Sequence, residues 1–98
     1  NRTIARTNDI LASTQLKPEE TTAEAIRNRL NLLLASAFAE VQRRGSLTKG
    51  LQFDGNALNQ LGLSLMERPE NTGVELSVVA LRATDTADSV LVGIRSQL

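Results

Sequence analysis

Four carboxylates sit in or beside the β-prone stretches of this chain: Asp54, Glu75, Asp85 and Asp88. Carboxylates converging from strand ends can hold two metal ions, which is the arrangement of a metal-dependent nuclease. The spacing argues against it here. Asp54 precedes Gly55 and Asn56 and reads as a turn residue or helix cap. Asp85 and Asp88 fall in a short polar loop, and Glu75 alone lies within a strand. The chain has no His and no Cys. That removes disulfides, the usual zinc ligands and nucleophile–His catalysis. No Ser lies in a G-x-S-x-G setting, so acyl transfer has no support. A glycosidase would find its carboxylate pair but not its aromatic sugar platforms, because aromatics are only 2% of the chain. The expectation is a non-enzymatic domain with no cofactor and no metal, the nuclease-like or nucleic-acid-binding domain being the alternative.

Charge points the same way. Eleven basic residues balance eleven acidic ones, so no electrostatic footprint for nucleic acid or an anionic membrane emerges. The one basic cluster is Arg43, Arg44 and Lys49, around Gly45-Ser46-Leu47-Thr48. It could contact an anion. Basic residues in the last turn of a helix also complement the helix dipole, which is the plainer reading.

The elements that position these residues follow from periodicity. The longest is the run from Pro18 to Gly45. Pro18-Glu19-Glu20 and then Thr21-Thr22-Ala23-Glu24 give two successive helix-start signals, the second a capping box. The main helix is expected over 21–44. Ile26, Leu30, Leu33, Leu34, Ala37, Phe38 and Val41 recur at steps of three and four, the stripe of a helix that covers a sheet. Leu32, Ala35 and Ala39 widen that stripe. They are the candidate contact for a protein partner or a second copy of the chain, as in a dimerisation cap, together with the basic exit at Arg43, Arg44 and Lys49. Gly45 just past the last turn marks the stop.

Before the helix, residues 3–6 and 10–16 flank Thr7-Asn8-Asp9 and predict a β-hairpin, with Ile10, Ala12, Thr14 and Leu16 on one face. After it come a short strand at 51–53 and a helix from an Asn56 cap to about Glu67, striped by Leu58, Leu61, Leu65 and Met66. Gly62 lies in its interior. A turn follows at 68–73. The runs 74–83 and 89–97 are the most β-prone and carry apolar residues on both faces, which places them in the middle of a sheet. The fold class is α+β: one domain over 1–98, with about five strands in a mixed or antiparallel sheet. One long and one short helix complete it, in the order ββαβαββ. The core must be aliphatic, since Phe38 and Phe53 are the aromatics.

Several of these stretches carry a likeness: DILAST (9–14), LKPEE (16–20), AIRNRLNLLLASA (25–37), RRGSL (43–47) and the closing strand pair after Gly73. The chain resembles the C-terminal region of the bacterial proteins grouped as domain of unknown function 3084. The resemblance implies a parent with N-terminal membrane spans and a long coiled coil, ending in this globular part. It carries no catalytic residues. On that reading the chain is an excised C-terminal domain, a protein-interaction or structural tip of an envelope-associated rod. Membrane association would come only through segments of the parent, and no apolar run here reaches a membrane span.

Overall fold

A computed structural model describes residues 2–97. Its strands and helices run in the order β1 (Thr3–Ala5), β2 (Ile10–Leu16), α1 (Ala23–Arg43), β3 (Leu51–Gln52), α2 (Gly55–Met66), β4 (Val74–Ala80), β5 (Thr84–Asp85) and β6 (Val90–Gln97). The expected order is present, with the two-residue β5 added between the closing strands.

The main sheet has the order β2-β4-β6-β3. β4 is antiparallel to both β2 and β6, while β3 runs parallel to β6. The two β-richest runs therefore occupy the inner positions, as their two-sided apolar pattern requires. Val74, Leu76, Val78 and Ala80 of β4 and Val90 and Val92 of β6 are buried on one face. α1 lies over that face with Ile26, Leu30, Leu33, Ala37 and Val41 turned inward, and Leu65 of α2 joins the same core. The stripe of α1 is thus a core wall.

Both ends of α1 are set by local chemistry. Lys17 to Glu20 form a separate turn: the Glu20 N–H donates to Lys17 O, and the Lys17 N–H donates to Glu20 Oε1. Thr22 then caps α1 by accepting from the Ala25 N–H at 3.1 Å. The cap is one residue later than a box opened at Thr21, because the Pro18 turn consumes the chain up to Glu20. At the other end Gly45 has φ +109°, and the N–H groups of Ser46 and Gly45 donate back to Val41 O and Gln42 O. This is the Schellman closure, which needs a left-handed residue and so favours glycine.

Four expectations are corrected. β1 does not pair with β2. The turn at 7–8 forms, with Asn8 at φ 73°, but β1 pairs with β5 in a separate two-stranded sheet. Asn8 N–H and Asp9 O are taken instead by Ala80, which leaves β1 to find a partner elsewhere. Second, the register of β2 shifts between Ile10 and Ala12. This bulge turns Leu11 into the core and Ile10 out to solvent, because an extra residue reverses the alternation beyond it. Third, Asp54, and not Asn56, caps α2: its Oδ1 accepts from the N–H groups of Asn56 and Ala57. An Asp at the N-cap also meets the positive end of the helix dipole. Fourth, Met66 points outward with Leu63, and Leu65 alone of α2 is fully buried.

Candidate interaction surface

Three of the four carboxylates that could have served a metal have a structural task in their own place. Asp54 caps α2. Glu75 lies opposite Gln97 across β4 and β6. Asp85 and Asp88 bind each other's backbone: Asp85 Oδ1 accepts from Ala87 and Asp88 N–H, and Asp88 Oδ2 accepts from Asp85 N–H. Among the described residues no three acidic, His or Cys side chains come together in a group able to hold a metal.

The basic exit of α1 is similarly engaged. Arg43 donates through Nε and Nη2 to the two oxygens of Glu40, the shorter bond being 2.6 Å. Arg44 Nε donates to Glu40 Oε2 at 2.7 Å, and its Nη1 reaches Ile4 O and approaches Asp9 Oδ2. Arg44 thereby ties the end of α1 to β1 and to the first turn. Lys49 is exposed. The Arg43 guanidinium, then that of Arg44, holds the Glu40 carboxyl down to about 2, and Glu40 in turn raises Arg43. A carboxylate held below its ordinary value of 4.5 stabilises the fold above that value and loses the contribution as the pH falls through about 2. The stability gap between the native chain and Glu40→Gln, read from urea midpoints, should therefore shrink between pH 4.5 and 2. A gap that stays constant over that range would refute the assignment.

What the polar groups leave open is apolar. Leu32, Ala35 and Ala39 are all exposed, on the side of α1 that faces away from the sheet. Leu32 is 63% exposed. A second exposed set borders a groove of about 400 Å³ between α1 and α2. Ile26 and Leu30 contribute from α1 and Leu58 and Gly62 from α2, with the exposed Leu63 and Met66 also lining it. Among the described residues Arg27 is the one charged side chain that lines it. Gly62 keeps the groove open, since a Cβ there would meet nothing within 4 Å. It is not a point of close helix packing. Because its space is empty and its φ is ordinary, Gly62→Ala should raise stability by about 0.5–1 kcal/mol through helix propensity alone. A fall in the thermal midpoint would contradict this.

A family model described as "DUF3084-associated C-terminal helical hairpin" matches residues 5–95. The chain belongs to that family. The match covers both helices and all strands but the first two residues of β1 and the last two of β6, so the likeness read from 9–14, 16–20, 25–37 and 43–47 extends over nearly the whole chain. Within the family's residues α1 and α2 share one hydrophobic core with the strands. No curated protein and no solved structure matches the chain. Among the described residues no helix is long and apolar enough to cross a membrane.

Sequence reasoning flagged the outer strip of α1 but not the interhelical groove. The groove depends on how α2 sits against α1, and no local signal in 55–66 carries that. Leu63 beside Gly62 was the available hint: a Leu off the stripe of α2 has no core to enter.

Proposed function

We propose that this domain is a non-enzymatic protein-interaction module at the end of an envelope-associated coiled-coil protein. Its contact surface is the helical layer, and its occupant is an amphipathic helix of a partner protein. The observation that supports this is the groove between α1 and α2, open at Gly62 and bordered by exposed Leu63 and Met66. Large apolar side chains exposed beside a concave surface suit the apolar face of a helix. Arg27, with no carboxylate among the lining residues, calls for an acidic residue on that helix. Family membership supports the parent architecture, since the resemblance implies an anchored rod with this part at its tip.

Groove-filling separates binding from folding. Gly62→Leu places a side chain in open space, and Arg27→Glu reverses the charge without touching the core. In the parent protein purified from its host, both variants should lose a partner that the native chain retains. Their unfolding midpoints should match or exceed that of the native chain. Retention of the same partner by both variants, or Mn²⁺-dependent nuclease activity in the purified chain, would overturn the proposal.

A further inference from the structure

α2 is held to the rest of the fold at few points. Of its twelve residues Leu65 alone is fully buried, whereas α1 buries Ile26, Leu30, Leu33, Ala37 and Val41. Leu58 and Leu61 are half-buried against the core. A groove runs along each side of the helix. The interhelical groove of about 400 Å³ lies between it and Ile26 and Leu30 of α1. A second groove, of about 370 Å³, lies between it and the sheet, with Leu58 and Leu61 on one wall and Leu91, Val92 and Ile94 on the other. Leu58 borders both. Residues 55–66 carry no charge, so no ion pair fixes them. Among the described residues, the one hydrogen bond that joins α2 to a side chain beyond its own cap runs from Arg68 Nη1 to Leu65 O.

The ends of α2 are anchored unequally. Before it, β3 pairs with β6 over two residues only, Leu51 and Gln52. After it, Arg68 donates to Lys17 O, Glu20 O and Thr72 O, three bonds that need nothing of α2. The segment between these anchors is also a weak helix. A helix shorter than about 12–15 residues is marginal in water without tertiary contacts, and Gly62 weakens it further. Its helicity therefore depends on the contacts of Leu58, Leu61 and above all Leu65. We infer that α2 is a hinged cover: it lifts and melts as one unit between β3 and Arg68 while α1 and the main sheet stay folded, and the two grooves then join into a single apolar trough. Leu65 is the latch and the Arg68 fork is the pivot. The floor of the trough is Leu30 and Leu34 of α1 beside Val92 and Ile94 of β6. α1 is not drawn into the motion, because it packs on β2 and β4 and is tied down by Arg29 to Glu20 and by Arg44 to Ile4 O. The opening is a property of the chain alone and does not rest on the helical-layer proposal, although it widens the site proposed there.

Hydrogen exchange in the purified chain tests it. The amides of residues 59–66 should be about a hundred-fold less protected than those of Leu33 on α1 and Val78 on the inner strand β4, with a shallower dependence on urea, as a sub-global opening requires. A thiol gives a second readout, since the chain has no Cys. Leu65 is 4% exposed and Val78 not at all, so Leu65→Cys and Val78→Cys each place a single thiol out of reach of solvent in the closed fold. A thiol reagent should modify residue 65 about a hundred-fold faster than residue 78. Equal protection and equal urea slope for 59–66 and Val78, loss of protection in α1 together with α2, or modification of residue 65 no faster than residue 78 would each overturn the hinge. Partner capture plays no part in these readouts, so their failure and that of the helical-layer proposal read separately.

Discussion

Leu76→Ala is expected to cost about 3–5 kcal/mol of folding stability. Leu76 has no exposure and sits on an inner strand, between Thr14 of β2 and Ser96 of β6. Neighbours on both sides are held by backbone ladders, so the cavity cannot collapse. A domain of this size has only about 5–15 kcal/mol of net stability, so the variant should approach the threshold of unfolding. Urea denaturation checks it. A loss under 1 kcal/mol would mean that the sheet is not clamped as described. Ser77→Ala, one residue on and on the helix-free face, gives the contrast: its hydroxyl meets only the exposed Ser13 Oγ at 3.0 Å.

Arg68→Ala is the second large effect, about 3 kcal/mol, and Arg68→Lys should not restore it. The Arg68 guanidinium donates to four carbonyls: Nε to Thr72 O, Nη1 to Leu65 O, and Nη2 to Lys17 O and Glu20 O, at 2.7–2.9 Å. It closes the end of α2, the turn at 68–73 and the turn before α1 with one side chain. Bonds from a charged donor are worth more than neutral ones, and truncation removes all four, leaving Lys17 O with only the Glu20 N–H. A lysine supplies three donors from one point and cannot span this fork. Full rescue by lysine would show that charge, and not the planar geometry, holds the three segments together.

Arg68 also marks the limit of sequence reading. In 68–73 it looks like one more polar turn residue, and nothing local announces its reach across about fifty positions to Lys17 and Glu20. The same holds for β1. Its residues and the Asn8 turn are legible, yet its partner is β5, far along the chain. What was legible is what local physics decides: the α1 stripe, the Gly45 stop, and the burial of β4 and β6 inside the sheet. The bulge at Ile10–Ala12 was not, because a one-residue slip leaves the alternation of the sequence unaltered while reversing which side chain is buried. On the surface, the exposed strip Leu32-Ala35-Ala39 could be seen as excess apolar width. The two grooves needed the packing of α2. Arg43 and Arg44 looked available until Glu40 was placed between them.

The central claim is that the helical layer receives a helix from another protein. A photo-activatable residue at Asn59, which lines the interhelical groove, tests it most directly in the parent protein in its host, with the same residue at Ser13 on the helix-free face as reference. The account predicts cross-links at residue 59 to one helical segment of a partner protein, with an acidic residue near the site joined and no such product from residue 13. Cross-links to that partner from residue 13 but not from residue 59, or none from residue 59 above the reference, would contradict it.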